Sequence, residues 1–339
     1  MRVAVIGGGG WGLALANLLA ENAHPVMVWE HDPAFLQTLL ATRSNPLLLA
    51  NLSLPETVLF TGDFHALADF QPQLVVLATP TQFIRATLEG IPPAAADRIW
   101  AAENLKAVVN VAKGIEENTL LTPSGILREL LPAAVQDRFC SLSGPSHAEE
   151  VARRVPTTVV IAGADDELLS ELQTVFSNSF FRAYRSTDLT GVEMGGAVKN
   201  VIAIAAGIVT GLGFGDNTMG ALLTRGLVEI QRLGVARGAK AETFLGLSGV
   251  GDLITTAISP HSRNRHVGFE IGSGRKLSAI IAEMKMVAEG VATTRSVHAL
   301  ATRANVEMPI TAQVYATLYQ DKDPRQAILE LMTRELKAE

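Results

Sequence analysis

Residues 3–20 read VAVIGGGGWGLALANLLA, and this stretch decides the fold of the N-terminal half. The apolar run Val3–Ile6 predicts a strand, and Gly12–Ala20, rich in alanine and leucine, predicts the helix that follows. Between them lie three glycines with the spacing G-x-G-x-x-G, namely Gly7, Gly9 and Gly12. The first allows the tight turn, the second lets a pyrophosphate approach the backbone, and the third lets the helix pack close to the strand. The pattern predicts a dinucleotide site at the N-terminus of the helix, where free N–H groups favour phosphate.

Further apolar runs predict a sheet that continues to about residue 185, and the continuous runs Gln73–Ala78 and Ala107–Ala112 are typical of a parallel sheet that is covered on both faces. The predicted strands are Pro25–Trp29, Gln73–Ala78, Ala107–Ala112, Phe139–Leu142, Thr157–Ala162 and Phe180–Tyr184. In such sheets ligands lie beyond the carboxyl ends of the strands. Lys113 directly follows one strand, so we expect it to meet an anion, although an exposed loop lysine would look the same.

The end of the second predicted strand leaves the choice of cofactor open. Glu30 lies 18 residues after Gly12, where an acidic side chain often accepts hydrogen bonds from the adenosine ribose. His31 could instead lie near a 2′-phosphate. A solvated pair of surface charges would explain the same two residues.

From Thr190 onward the pattern is helical, and glycine turns separate long apolar stretches. This shift predicts two domains, a dinucleotide-binding domain at residues 1–188 and a helical substrate and catalytic domain at residues 189–339. The expected fold class is therefore α/β, with a Rossmann-like doubly wound sheet followed by an all-α domain.

Three polar groups stand out in the helical half. Lys199, beside Asn200, lies on an apolar helix, where a desolvated lysine is a competent acid or base; most helix lysines are simply solvated. Asp252 in LSGVGDL is either a helix N-cap or the group that orients this lysine. Ser262–Arg265 offers a hydroxyl, an amide and two guanidinium groups, which suit phosphate. A basic cluster on the protein surface would show the same residues.

Composition narrows the class of protein. The 339 residues are 48% hydrophobic and 18% charged, with a formal net charge of −6, which argues against a nucleic-acid partner. The single cysteine, Cys140, excludes an internal disulfide and is expected to be buried. We expect no signal peptide and no metal site. We also expect no stable membrane insertion, because the apolar run Val201–Val209 is too short to span a bilayer. A cytoplasmic protein follows from these expectations.

Taken together, these motifs resemble the bacterial-type NAD(P)-dependent glycerol-3-phosphate dehydrogenases over nearly the full length. The motifs that carry the resemblance are GGGGWGLALA, VWEHDP, AKGIE, LSGPSHAEEVA, GVEMGGAVKNVIAIAAG, LSGVGDL, SRNR, VAEGV and MPI. The resemblance implies NAD(P)H as the cofactor and the reversible reduction of dihydroxyacetone phosphate to sn-glycerol 3-phosphate, which supplies glycerophospholipid synthesis. It also implies a homodimer.

The resemblance further implies a role for individual residues. The implied cofactor contacts are Gly10, Trp11, His31, Lys113, Ala148, Arg263, Val287 and Glu289, in addition to the glycines of the turn. The implied substrate contacts are Lys113, Gly144, Ser146, Lys199, Asp252, Ser262, Arg263 and Asn264. Lys199 is the implied proton acceptor, Lys113 a second cation that polarises the carbonyl, and Asp252 the group that holds Lys199. We expect the Lys199 ammonium to lie a few ångströms from the nicotinamide ring, where the two domains meet.

The chain departs from the family pattern at several positions. Gly10 stands where serine is usual, Leu48 where an aromatic residue is common, and His147 has no assigned role. A carboxylate at Glu30 would repel a 2′-phosphate. A β-hydroxyacid dehydrogenase or a ketopantoate reductase would use similar parts on a carboxylate substrate, and a nucleotide-binding regulator without turnover is the alternative outside enzymes.

Overall fold

The computed structural model describes residues 1–284, 286–336 and 338. These residues form two compact units. One comprises Met1–Lys113 and Leu121–Val192, and the other comprises Gly114–Leu120 and Glu193–Glu339. The short segment 114–120 thus groups with the helical unit, which no sequence pattern indicated. The domain boundary near residue 188 stays a prediction.

The first unit is built on a sheet of eight strands. The strands in chain order are β1 Val3–Ile6, β2 Val26–Trp29, β3 Ser44–Asn45, β4 Leu49–Ser53, β5 Val58–Thr61, β6 Leu74–Leu77, β7 Ala107–Asn110, β8 Phe139–Ser143, β9 Thr157–Gly163 and β10 Phe181–Ser186. The order in the sheet is β10-β9-β8-β7-β6-β1-β2-β5, and β3 pairs separately with β4. The helices of this unit are α1 Gly10–Glu21, α2 Pro33–Thr42, α3 Phe64–Asp69, α4 Thr81–Glu89, α5 Pro93–Trp100, α6 Pro123–Leu130, α7 Ala148–Ala152 and α8 Asp166–Phe176.

The sheet confirms the predicted Rossmann-like fold and has two features that were not predicted. Neighbouring strands from β5 to β8 are parallel, but β8 pairs with β9 antiparallel, so β9 and β10 run the opposite way. The apolar runs gave no indication of this reversal. The strand β5 and the β3–β4 pair were also missed, because each is short and lacks a long apolar run.

Both faces of the central strand β1 are covered. Val3 and Val5 belong to a core with side chains of α1 and α8, whereas Ala4 and Ile6 belong to a second core with side chains of α4 and α6. All four strand residues are fully buried. This explains why β1 is a continuous apolar run rather than an alternating one.

The second unit is helical, as predicted. Its helices are α9 Leu189–Gly211, whose first turn begins in the sheet unit, α10 Asp216–Ala236, α11 Asp252–Ile258, α12 Arg263–Gly272, α13 Leu277–Glu283, α14 Glu289–Arg303, α15 Pro309–Tyr319 and α16 Pro324–Met332. A single π-helical turn, Leu247–Gly251, leads into α11.

The helix α9 is longer than the apolar run from which it was expected. Among the described residues it is the one helix long and apolar enough to cross a membrane by length and composition, yet its apolar window is wholly buried inside the protein. That burial is typical of a core helix. Side chains along it, such as Val198 and Ile202, contribute to the core of the helical unit.

The helices α9 and α12 are in backbone contact. A Cβ atom at Gly207 would lie 2.0 Å from the carbonyl oxygen of Arg265, and one at Gly268 would lie 2.0 Å from that of Ile204. No side chain fits at either position. The contact fixes the N-terminal end of α12, which carries the predicted phosphate-binding residues, against α9, which carries Lys199.

A buried carboxylate joins two other helices of this unit. Glu229 on α10 is 3% exposed. Its Oε1 atom accepts a hydrogen bond from the backbone N–H of Ile310 at 2.6 Å, and its Oε2 atom accepts from the N–H and the hydroxyl of Thr311 at 3.1 and 3.0 Å. Glu229 thereby satisfies the first turn of α15, whose N–H groups lack intrahelical partners. Burial raises the pKa of Glu229 above its ordinary value of 4.5, although these hydrogen bonds oppose the shift.

We expect Glu229→Gln to lower the free energy of unfolding by about 1–3 kcal/mol, because the amide nitrogen cannot accept and leaves a buried N–H group unsatisfied. The difference in free energy of unfolding between the unaltered protein and the variant should narrow as pH rises. A raised pKa in the folded state means that the carboxyl group's contribution is complete below about pH 4.5 and is lost as pH rises through the folded pKa. Urea unfolding at several pH values measures both effects.

The matched control is Glu242→Gln, which alters an exposed glutamate of the same unit. We expect it to change the free energy of unfolding by less than about 0.5 kcal/mol. Equal effects of the two substitutions, or a gap that widens with rising pH, would contradict this account of Glu229.

Candidate functional site

The glycine turn after β1 is held by contacts that no side chain permits. Gly7 has a φ of +116°, and a Cβ atom there would lie 2.9 Å from the carbonyl carbon of Ala78. A Cβ atom at Gly12 would lie 2.0 Å from the carbonyl oxygen of Gly7. The first and third glycines of the motif therefore have the turn and packing roles that the sequence predicts.

The second glycine borders open space. Gly9 is the N-cap of α1, and no heavy atom lies within 4 Å of the position its Cβ would take. The N–H groups of the first helical turn, those of Gly10, Trp11 and Gly12, lack intrahelical acceptors. This open cradle of N–H groups at a helix N-terminus fits the pyrophosphate of a dinucleotide.

The residues around Gly10 include two that the sequence singled out. A Cβ atom at Gly10 would lie 3.5 Å from the Cβ of Leu48 and 3.9 Å from the Cβ of Ala148, the first residue of α7. These are ordinary van der Waals distances, so the space would admit the serine that is usual in the family. Leu48 and Ala148 thus lie beside the first turn of α1, and their contacts with a cofactor stay predictions.

The carboxylate of Glu30 belongs to the glycine turn. Glu30 is 6% exposed, and its Oε2 atom accepts a hydrogen bond from the backbone N–H of Gly8 at 3.0 Å. The interpretation of Glu30 and His31 as a solvated surface pair is therefore wrong for Glu30. The His31 side chain is 80% exposed and lies at the same strand end.

Lys113 lies at the carboxyl edge of the sheet, beside the turn that follows β8. Its Nζ atom donates a hydrogen bond to the carbonyl oxygen of Gly144 at 2.9 Å, and the hydroxyl of Ser146 donates to the same oxygen at 3.0 Å. Gly144 has a φ of +133°, a conformation that favours glycine. Three residues that sequence reasoning placed at the substrate are thus in one cluster.

The turn that carries Lys113 is shaped by Asn110, which sequence reasoning missed. This side chain is 1% exposed. Its Nδ2 atom donates to the carbonyl oxygen of Ala112 at 3.0 Å, and its Oδ1 atom accepts from the Ala112 N–H at 3.1 Å. The available signal was an amide at the end of an otherwise apolar strand.

In the helical unit, Lys199 and Asp252 form a buried ion pair. Their side chains are 5% and 2% exposed, and the Nζ–Oδ1 distance is 2.7 Å. The Nζ atom also donates to the hydroxyl of Thr256 at 2.5 Å, and that hydroxyl donates to Asp252 Oδ1 at 3.3 Å. Between the two interpretations of Asp252, this geometry favours the one in which it orients the lysine. Thr256, one turn along α11, was not predicted.

The second cluster of this unit surrounds the N-terminus of α12. Ser262 is the N-cap, and its hydroxyl accepts from the N–H of Arg265 at 3.2 Å. Arg263 is exposed, and its Nη1 atom donates to the carbonyl oxygen of Val287 at 3.0 Å. The structure therefore brings Arg263 together with the VAEGV segment.

Asn264 connects this cluster to the vicinity of Lys199. Its Oδ1 atom accepts from the N–H of Gly290 at 2.9 Å, in the first turn of α14, which begins at Glu289. A Cβ atom at Gly290 would lie 2.9 Å from the carbonyl oxygen of Asn200. Gly290 is thus confined between the predicted phosphate-binding helix and the residue after Lys199. Its role was not predicted.

Metal and thiol chemistry find no support in the parts of the chain that the structure describes. No group of three or more His, Cys, Asp or Glu side chains in those parts could hold a metal ion. Cys140 lies buried on β8, and burial raises the pKa of its thiol to about 12. It therefore stays protonated and unreactive near neutral pH.

The arrangement of a dinucleotide turn and a buried lysine agrees with comparisons to known proteins. The N-terminal profile of the NAD-dependent glycerol-3-phosphate dehydrogenases matches residues 2–169, and the C-terminal profile matches residues 188–329. The chain belongs to this family.

Individual relatives match along their whole length. The glycerol-3-phosphate dehydrogenase (NAD(P)+) of Geobacter sp. (strain M21) is 48% identical over 338 residues, which cover 100% of this chain and 98% of the relative. The enzyme of the same name from Trichlorobacter lovleyi is 49% identical over 339 residues, with 100% and 99% covered. The crystal structure of glycerol-3-phosphate dehydrogenase from Coxiella burnetii is 34% identical, covers 98% of this chain and 99% of that chain, and superposes with a TM-score of 0.89.

Family membership leaves the roles of single residues to be tested, and the glycine turn offers a sharp test. We expect Gly9→Ala to leave the fold intact, because the added methyl group meets no protein atom and the backbone conformation suits any residue. The same methyl group would occupy the space where the pyrophosphate approaches. The dissociation constant for NAD(P)H, measured by fluorescence titration, should rise at least about tenfold while the melting temperature stays unchanged.

The matched control is Gly220→Ala on α10, where the added methyl group also meets no protein atom. We expect it to leave cofactor affinity unchanged. Unaltered NAD(P)H affinity in the Gly9 variant would contradict the proposed position of the pyrophosphate.

Proposed function

We propose that this chain catalyses the reversible, NAD(P)H-dependent reduction of dihydroxyacetone phosphate to sn-glycerol 3-phosphate, with Lys199 as the acid and base. The observation that carries the proposal is the buried Lys199–Asp252–Thr256 cluster in a chain of this family. Burying a charge costs free energy unless the charge is paired and hydrogen-bonded. Here the ammonium has two fixed partners, the carboxylate of Asp252 and the hydroxyl of Thr256.

The cofactor's place is supported by the cradle at the N-terminus of α1. The N–H groups of Gly10, Trp11 and Gly12 would hold its pyrophosphate, and the other proposed contacts are His31, Lys113, Ala148, Arg263, Val287 and Glu289. When bound, the reduced nicotinamide supplies a hydride to a carbonyl carbon. The protein's own residues then have to orient the ketone and deliver a proton.

Lys199 is suited to that proton transfer. On reduction its Nζ–H donates a proton to the substrate's carbonyl oxygen, and on oxidation the neutral amine removes it. The Asp252 carboxylate and the Thr256 hydroxyl hold the Nζ atom in one position, which general acid–base catalysis requires. Lys113, held by the Gly144 carbonyl and joined by Ser146, is the second proposed cation, and it would polarise the same carbonyl.

The N-terminus of α12 is suited to the substrate's phosphate. Ser262, Arg263 and Asn264 form the N-cap and the first turn, so backbone N–H groups and the positive end of the helix dipole meet a guanidinium group there. Because Asn264 Oδ1 is occupied by the Gly290 N–H, its Nδ2 group is the one that would donate to an anion. Such a grip, remote from the reacting carbon, orients the ketone.

Family membership also favours this substrate over the alternatives, because a ketopantoate reductase or a β-hydroxyacid dehydrogenase would need a carboxylate site. A regulator without turnover would have no use for a buried lysine pair. We further propose a homodimer in the cytoplasm that supplies glycerophospholipid synthesis. Large exposed apolar side chains on and after α16, Leu329, Met332 and Leu336, would gain from burial in such a dimer.

The proposal predicts that Lys199→Met lowers kcat for dihydroxyacetone phosphate reduction at least about 10²-fold, because the proton donor is removed. Affinity for NAD(P)H should stay within about twofold. Stopped-flow or steady-state absorbance assays give kcat, and fluorescence titration gives the cofactor affinity.

Two further variants keep this test interpretable. Lys199→Met removes the ammonium partner of the buried Asp252 carboxylate, so the double variant Lys199→Met/Asp252→Asn restores neutrality and should remain inactive. Lys276→Met removes an exposed lysine of the same unit that pairs with Asp321, and its kcat should equal that of the unaltered enzyme. A folded Lys199 variant with near-normal kcat would refute the assignment.

The phosphate site predicts a different kinetic effect. Arg263→Ala should raise KM for dihydroxyacetone phosphate at least about tenfold and change kcat less, because the guanidinium group binds a part of the substrate that does not react. Arg265→Ala is the matched control, since this residue lies about 200° farther round the helix. An unchanged KM in the Arg263 variant, or equal effects at both arginines, would refute the phosphate role.

A further inference from the structure

The Glu30 side chain is fixed at the carboxyl end of β2 by three hydrogen bonds. Its Oε2 atom accepts from the N–H of Gly8 at 3.0 Å. Its Oε1 atom accepts from the N–H of Asp32 at 3.0 Å and from Nδ1 of His31 at 3.0 Å. Both oxygens act as acceptors, which is the role of an ionised carboxyl group. The carboxylate is 6% exposed and is tied to the same glycine turn that is suited to the pyrophosphate.

Strong cations are missing from the two loops at this edge. The sequence after β2 reads EHDPAFL at residues 30–36, and the sequence at the end of β5 reads TGDFHA at residues 61–66, with neither lysine nor arginine. Asp32 and Asp63 add carboxylates there as the N-caps of α2 and α3. The two loops therefore carry three carboxylates against two imidazoles.

The guanidinium group of Arg43, at the end of α2, is committed elsewhere. It donates to the carbonyl oxygens of Leu54, Pro55 and Val58 at 3.0, 2.5 and 2.6 Å. Reaching for an anion would break these hydrogen bonds, which are partly buried, and remove the donor from three carbonyl groups.

His31 does not reverse the excess of negative charge in these two loops. Its side chain is 80% exposed, but Nδ1 donates to Glu30. A protonated imidazole would neutralise that carboxylate and leave no surplus positive charge for a phosphate dianion. Rotating the Glu30 side chain away to relieve the repulsion of a 2′-phosphate is also unfavourable, since the buried Gly8 N–H would lose its acceptor.

We propose that the locked Glu30 carboxylate makes this chain prefer NADH to NADPH, by accepting a hydrogen bond from the ribose 2′-hydroxyl and repelling a 2′-phosphate. The preference rests on the proposed function only in that the glycine turn binds a nicotinamide dinucleotide. It resolves the choice that Glu30 and His31 left open in the sequence, and it makes Glu30 a specificity-determining residue.

Calorimetric titration of the full chain with NAD+ and with NADP+ tests the preference without relying on turnover. We expect NAD+ to bind at least about tenfold more tightly, since like charges placed together are strongly unfavourable. In Glu30→Gln the ratio of the NADP+ dissociation constant to the NAD+ dissociation constant should fall at least about threefold, chiefly through tighter NADP+ binding. Asp32→Asn, which removes a neighbouring carboxylate that does not contact Gly8, should lower the ratio less than Glu30→Gln does.

A second variant covers the case in which Glu30→Gln disturbs the turn, because glutamine can accept only one of the two backbone N–H groups. His31→Arg keeps Glu30 in place and adds a permanent cation, and it should lower the ratio as well. Equal or tighter binding of NADP+ by the unaltered chain would overturn the proposal, as would an unchanged ratio in a folded Glu30→Gln variant.

Turnover separates this proposal from the proposed function. Initial rates with dihydroxyacetone phosphate are measured with NADH and with NADPH. Reduction that favours NADPH would refute the role of Glu30 and retain the function. Preferential binding of NAD+ without turnover by either cofactor would refute the function and retain the role of Glu30.

Discussion

The chemistry proposed for the helical unit depends on the buried ion pair between Lys199 and Asp252. Removing an ammonium and a carboxylate from water costs several kcal/mol for each ion, and well-packed apolar residues often replace such a pair without loss of stability. Stability therefore explains the pair poorly. Thr256 completes the cluster by bonding to both partners, which fixes the direction as well as the position of the ammonium group. A charged donor in one fixed place is the property that proton transfer to a bound substrate requires.

That fixed position depends on backbones that approach more closely than side chains allow. A Cβ atom at Gly195, one turn before Lys199, would lie 2.6 Å from the carbonyl oxygen of Ser248, in the turn that leads to Asp252. Farther along α9, Gly207 gives the same closeness to α12. These glycines lie inside a regular helix, so they act through the absence of a Cβ atom and not through flexibility. Gly195 and Gly207 thus let two partner segments pack closely against the helix that carries Lys199, and alanine at either position would displace the segment that it meets.

The sequence predicted the features that are local in the chain and missed those that depend on distant partners. The glycine turn and the lysine on an apolar helix are visible because one residue pattern contains each of them. The reversal of β9 and β10 is not visible, because strand direction leaves no trace in an apolar run. The hydrogen bond from Gly8 to Glu30 joins residues 22 positions apart, and its existence depends on the pairing of β1 with β2. Thr256 carried a weak signal, since it follows Asp252 by four residues on one helix face.

On the proposed assignments, the two units would recognise their ligands by different means, and this bears on the departures from the family pattern. The sheet unit offers mainly backbone groups: N–H groups at the start of α1 and a carbonyl that holds Lys113. Glycine in place of serine at position 10 removes a hydroxyl but leaves the N–H, and the space there is not restrictive. The helical unit instead relies on side chains whose bonds are interlocked, such as Asn264, which serves α14 with one atom and has another left for an anion. A change at such a residue would therefore affect a helix terminus and the proposed substrate site together, whereas a change at position 10 would leave the backbone N–H group in place.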